Sequence, residues 1–169
     1  IYDHHMFFGT QSGMQIFSLK VPTALNYVGS FWHVTSCDPV VIADGYAYIT
    51  LRGGNVCGSN VNRLDVVKLS SDYKTSTLEA SYPMTGPYGL GIDDEILFVC
   101  DGSDGLKVYN VADKLNIDDH QIARFPSIKT YDVIPFENYL FMIGDGGFYQ
   151  YDYSDLQNIH QISLIPVKK

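Results

Sequence analysis

Apolar and polar residues alternate along most of the chain in short runs, broken by turns rich in Gly, Asp and Asn. Four runs share one form, an alternating apolar core followed by a polar stretch. They are Gly13-Met14-Gln15-Ile16-Phe17, Arg63-Leu64-Asp65-Val66-Val67, Gly105-Leu106-Lys107-Val108-Tyr109 and Gly147-Phe148-Tyr149-Gln150-Tyr151. They begin at residues 13, 63, 105 and 147, so successive starts lie 50, 42 and 42 residues apart. A period of two places successive side chains on opposite faces of an extended strand.

A second apolar strand precedes each run: Met6-Phe7-Phe8, Ala47-Tyr48-Ile49-Thr50, Ile96-Leu97-Phe98-Val99 and Leu140-Phe141-Met142-Ile143. In the last three units a third strand comes earlier still, at Pro39-Val40-Val41-Ile42, Gly89-Leu90-Gly91-Ile92 and Asp132-Val133-Ile134. The polar pairs Asp44-Gly45, Asp93-Asp94 and Glu137-Asn138 join these two strands and suit tight hairpins, because Gly, Asn and Asp tolerate positive φ. A fourth, weaker strand follows, as at Leu78–Tyr82 and Ile122–Phe125. The unit is therefore four strands, A to D, in about 42 residues, the size of a propeller blade. No stretch carries sustained helical periodicity with caps.

The pattern predicts an all-β chain, a β-propeller of four consecutive blade units over approximately 1–36, 37–86, 87–129 and 130–169. The first is incomplete, since it begins inside its strand B. An open row of blades would expose sheet edges, so the reading is a part of a larger propeller cut at its N-terminal side. A closed four-blade ring is the alternative. The opening Ile1-Tyr2-Asp3-His4-His5 fits such an internal cut and has no signal-peptide character.

Composition narrows the partners. The 46% of hydrophobic residues can fill a core, and the 14% of aromatics suits strands. A net charge of −8 with no basic stripe argues against nucleic acid. No apolar run reaches the roughly 18 residues that a transmembrane helix needs.

Leu64-Asp65-Val66-Val67-Lys68 and Leu106-Lys107-Val108-Tyr109-Asn110 resemble the LVIVD repeat of bacterial propeller proteins. Cys37-Asp38-Pro39-Val40-Val41 followed by Tyr46–Arg52 is similar to one blade of such proteins. The closing Asp of the repeat is kept at Asp152 and replaced by Ser18, Lys68 and Asn110. The sole Trp, Trp32, precedes His33, so no WD dipeptide exists. The resemblance implies a cell-surface or secreted bacterial protein with no assigned activity.

Of three cysteines, Cys37 precedes strand A of the second unit and Cys57 lies in its B–C loop. Those positions fall at one end of an up-and-down blade. A disulfide there would tie down the extended loop Gly53–Asn60, by about 3 kcal/mol, and would fit an extracytoplasmic, oxidising compartment. Two unpaired thiols in a reducing compartment is the alternative. Cys100, in a strand B, reads as a buried, inert thiol.

The D–A connections and B–C loops gather at one end of a propeller. The ligand-binding candidates there are Trp32, His33, Asp38, Arg52, Tyr88, Tyr131 and Asp132, since loops on a rigid scaffold concentrate binding residues. Aromatic rings beside carboxylates and an Arg suit a glycan, a peptide or a protein partner. The same residue types also build turns and pack between blades. Asp101-Gly102-Ser103-Asp104-Gly105 and Gly144-Asp145-Gly146-Gly147 make Asp101, Asp104 and Asp145 candidate ligands for calcium. They lack the acidic alternation of an EF-hand and match as hairpin turns. His4-His5 makes a poor chelate because neighbouring strand residues diverge. No nucleophile elbow or phosphate loop is present. The expected function is a non-catalytic extracytoplasmic binding module with no cofactor. The remaining alternatives are a metal-dependent hydrolase or lyase at the channel mouth and a structural assembly domain, partnered by the rest of a parent propeller.

Overall fold

A computed structural model describes residues 1–33, 39–54 and 60–167 of the chain. They form two compact units, Ile1–Pro83 and Met84–Lys169. In the first, β1 (His5–Thr10), β2 (Gly13–Ser18) and β3 (Asn26–Trp32) make a three-stranded sheet. Beside it, β4 (Val40–Ala43), β5 (Tyr46–Leu51), β6 (Arg63–Leu69) and β7 (Ser76–Pro83) make a four-stranded one.

The second unit holds β8 (Leu90–Asp93), β9 (Ile96–Cys100), β10 (Leu106–Asn110) and β11 (Gln121–Phe125), with one 3-10 turn at Ile117–His120. Its other sheet is β12 (Thr130–Phe136), β13 (Tyr139–Gly144), β14 (Gly147–Asp152) and β15 (His160–Pro166). Every pairing is antiparallel and follows chain order, as a meander of the predicted strands A to D requires. No helix among the described residues is long and apolar enough to cross a membrane.

The hairpin turns follow the expected chemistry, with one displacement. Asp44 and Gly45 both take positive φ, at 49° and 73°, as do Glu137 and Asn138 at 50° and 66°. In the third blade the turn centres on Asp94, with φ of 50°, while Asp93 still pairs with Ile96 in the ladder. The first blade adds a turn at Asp3 and His4 (φ 42° and 56°), closed by the reciprocal bonds of Tyr2 and His5. Tyr2, bridged to His5, stands at the strand-A position of the first blade.

Three local features recur blade after blade. The residue that ends or follows strand C donates its N–H to the carbonyl of the second turn residue: Leu19 to His4, Leu69 to Gly45, Val111 to Glu95 and Tyr153 to Asn138, at 2.7–2.9 Å. The closing residue of strand C accepts the N–H two residues on, as Ser18 does from Lys20, Asn110 from Ala112 and Asp152 from Ser154. Finally, Gly13, Gly105 and Gly147 open strand C against the carbonyl of strand D. At Gly105, with φ of 86°, a Cβ would lie 2.0 Å from the Phe125 oxygen. Only glycine fits such a position.

Each unit keeps its core between its two sheets. In the first, Met14 and Ile16 meet Ala47, Ile49, Leu51, Val67 and Leu69. In the second, Phe98, Cys100, Leu106 and Val108 meet Val133, Leu140, Met142 and Tyr151. Cys100 is completely buried, and burial pushes its thiol up to about 12, which leaves no thiolate at neutral pH.

A tyrosine latch joins the sheets within each unit. The Tyr73 hydroxyl, beyond strand C of the second blade, donates to Asp3 Oδ2 in the turn of the first at 2.9 Å. Tyr153 of the fourth blade repeats this on Asp93 of the third at 2.7 Å. Burial first and the facing carboxylate second raise both phenols, Tyr73 to about 12 and Tyr153 further still.

Gly105→Ala is expected to cost about 3 kcal/mol in urea unfolding, through the left-handed φ and the clash with Phe125. The latches predict a loss of stability under alkali. Free tyrosine titrates at 10.0, so above that pH the unfolded chain gives up its protons before the folded one. The latch contribution is complete below pH 10 and falls away toward pH 12. Urea midpoints measured across that window should drop less steeply in the Tyr73→Phe, Tyr153→Phe double variant.

Candidate functional site

Four backbone hydrogen bonds build the D–A and B–C loop end of the second unit. Tyr88 N–H donates to the Cys100 carbonyl, Gly89 to Tyr131, Thr130 to Gly102 and Asp145 to Lys129, all at 2.7–3.0 Å. They seat the strand-A entry of the fourth blade on the B–C loop of the third. The entry residues Lys129 and Tyr131 thereby come against Asp145 in their own blade.

The Tyr131 hydroxyl donates to Asp145 Oδ1. Lys129 Nζ lies over the Tyr131 ring, 5.5 Å from its centroid, a cation–π contact. Tyr88 meets the same ring edge-on at 5.2 Å and 84°. The bond to Asp145 holds the Tyr131 phenol above its ordinary value, and the bond to Tyr131 raises the Lys129 ammonium. Beside this group opens a cavity of about 630 Å³, lined by Ser127, Ile128, Lys129, Asp145, Gly146, Tyr149 and Val167. It offers an ammonium, a carboxylate and hydroxyls on an open surface.

The second group at this end is an ion network. Asp101 is completely buried and accepts the N–H of Thr85 and of Gly86 at 2.8–3.1 Å. Lys107 Nζ sits 2.7 Å from Asp101 Oδ2 and 2.8 Å from Asp104 Oδ2. Arg124 pairs with Asp104 from outside. The Lys107 bond holds the Asp104 carboxyl below its ordinary range. A lysine ammonium therefore fills the place between Asp101 and Asp104 that a calcium ion would take.

Asp145 belongs to the Tyr131 group, so the three carboxylates considered for calcium do not come together. Among the described residues no cluster of three or more His, Cys, Asp or Glu side chains converges.

The remaining candidates are dispersed. Asp132, inside β12 at its register shift, accepts the N–H of the next residue, Val133, at 2.9 Å. In the first unit, Trp32 ends β3 with 67% of its surface exposed, and His33 tilts against Phe31 at 6.1 Å while its N–H reaches the Ser12 carbonyl. Arg52 follows β5, half-buried, in the same unit. Asp38, Cys37 and Cys57 lie outside the described residues. His4 and His5 do not act as a pair, because His5 turns its ring to the Asp3 carbonyl and onto Tyr73.

Sequence reasoning missed Lys129, Ser127 and Tyr149. The available signal was that Lys129 stands two residues before Tyr131 at the start of an extended strand, where alternate side chains share a side.

No protein-family model matches the chain, and no curated protein matches it. Solved structures match in fold. Apo AztD from Citrobacter koseri aligns with a TM-score of 0.62 at 12% identity over 96% of this chain, and a second AztD structure from that organism at 0.62 and 13% over 97%. The nidogen/laminin complex, which holds a YWTD β-propeller, aligns at 0.60 and 12% over 97% of this chain and 60% of that one. The four sheets are β-propeller blades. The chain spans 45% of the AztD chain, and at such identities the likeness extends to the fold alone.

Lys107→Met should cost about 3–5 kcal/mol, because it leaves Asp101 buried without its cation. Arg124→Met, at an exposed pair, should cost less than about 1 kcal/mol. Parallel urea titrations of the two variants compare these directly.

Proposed function

We propose that this propeller module binds a glycan, peptide or protein segment without catalysis, outside the cytoplasm. The observation that carries the reading is the Lys129–Tyr131–Asp145 group at the edge of an open cavity of about 630 Å³. Ring, ammonium and carboxylate are fixed at one end of the fourth blade, where a rigid scaffold holds them ready. The likeness of Leu64–Lys68 and Leu106–Asn110 to the LVIVD repeat supports a secreted or cell-surface protein. In the sequence Cys37 precedes strand A and Cys57 falls in the B–C loop of the second unit, which favours a disulfide and hence an oxidising compartment. The negative net charge favours partners other than nucleic acid.

A glycan array and a peptide library, each probed with the 169-residue chain, identify the ligand class. With a hit in hand, calorimetric titration of Tyr131→Phe and Asp145→Asn should show affinity reduced at least tenfold, about 1.4 kcal/mol, at an unchanged melting temperature. Wild-type affinity in both variants would remove the site from this end of the unit.

A further inference from the structure

Tyr149 carries a hydroxyl that the fold does not use. The residue lies on β14, is 7% exposed, and packs its ring into the core with Leu140, Met142 and Tyr151. A buried phenol ordinarily finds a hydrogen-bond partner, yet this one forms no bond among the described residues. Tyr149 also lines the cavity of about 630 Å³ beside Tyr131. Its oxygen stands against Gly146, another lining residue, where an added Cβ would collide with it. Glycine at that position leaves the hydroxyl its place on the cavity wall.

Other groups on the wall are uncommitted too. Lys129 rests on the Tyr131 ring and forms no ion pair among the described residues, so most of its three N–H donors are unspent. The Ser127 hydroxyl likewise takes no part in the fold's hydrogen bonds. Asp145 accepts the Tyr131 hydroxyl at Oδ1 and keeps Oδ2 free of protein donors.

Charge in the second unit is segregated. The end formed by its A–B turns and C–D loops carries Asp93, Asp94, Glu95, Asp118, Asp119 and Glu137, with Lys114 as the single lysine or arginine there. At the cavity end Lys107 and Arg124 neutralise Asp101 and Asp104, leaving Lys129 with Asp132 and Asp145. An anion therefore meets far less repulsion at the cavity end.

We infer, on the binding reading of this site, that the cavity takes the C-terminus of a peptide. Lys129 and the Tyr149 and Ser127 hydroxyls donate to its carboxylate in charge-assisted bonds, and Asp145 Oδ2 accepts the last amide N–H. Ile128 and Val167 give the terminal side chain an apolar neighbour. An acidic sugar has a carboxylate beside a donor as well, but a sugar ring calls for an open aromatic face. Here Lys129 and Tyr88 occupy the Tyr131 ring and the Tyr149 ring is buried.

Calorimetric titration of the 169-residue chain tests this with three probes: an N-acetylated tripeptide ending in leucine, its C-terminal amide, and glucuronic acid. The free acid should bind about tenfold tighter than the amide. Tyr149→Phe and Lys129→Met should each weaken the free acid about tenfold. Tyr149→Phe should keep the wild-type melting temperature, because its hydroxyl has no bond to lose. Equal binding of acid and amide overturns the inference, as does wild-type affinity in Tyr149→Phe. Glucuronic acid binding where the free-acid peptide does not, or no binding of that peptide, overturns it as well. A ligand from the array or library that is lost in Tyr131→Phe but indifferent to Tyr149→Phe and Lys129→Met removes this inference and leaves the binding reading standing.

Discussion

A four-stranded sheet with strands of about five residues cannot hold itself together, because neither of its faces is buried until another sheet covers it. Everything else in this chain follows from that dependence. The apolar alternation exists to load both faces, and the short turns exist to return each strand to the same sheet. The side chains at the sheet junctions grade from aliphatic in the middle, at Met142 and Val108, to the tyrosine latches at the rim. A hydroxyl on a long flat ring can reach a carboxylate across the junction while its ring remains in the core.

The two loop clusters of the second unit spend charge in opposite ways. Around Asp101 a full carboxylate is taken out of water and must be compensated, and two backbone donors with one lysine achieve it. This fixes the path of Thr85 and Gly86 into the third blade. Around Tyr131 the charges remain near solvent, where each pair contributes little to stability. Groups that add little to folding remain available to a ligand. This contrast is what separates the structural cluster from the candidate site, although both are built from Asp, Lys and ring or guanidinium neighbours.

Strands A to C were legible because their signal is local: two-residue alternation, Asp-Gly and Glu-Asn turns, and glycine at the start of strand C. Strand D was weak for a physical reason. In all four blades the C–D ladder skips one residue of strand D, at Val28, Glu79, Ile122 and Ile162, so the alternation changes phase halfway along. The turn of the third blade was placed one residue early because two adjacent aspartates suit it equally well. The site was harder. Tyr88 and Tyr131 were found as loop aromatics, but the pairing of Tyr131 with Asp145 depends on the ladder that brings two loops of one blade side by side. Asp101 and Asp104, read from the sequence as cation ligands, both contact Lys107 Nζ. What that reading missed was Lys107, which strand periodicity brings to the same spot.

The end of strand C shows what the repeat conserves. Ser18, Asn110 and Asp152 each supply one oxygen to an amide two residues away, and a hydroxyl, an amide or a carboxylate serves equally. Lys68 cannot, and in that blade the Ser70 hydroxyl takes the Thr75 N–H instead. Letter by letter these are mismatches; in three of the four blades the bond is the same. One turn thus tolerates several spellings, because what it asks of the position is a single acceptor oxygen and not a particular side chain.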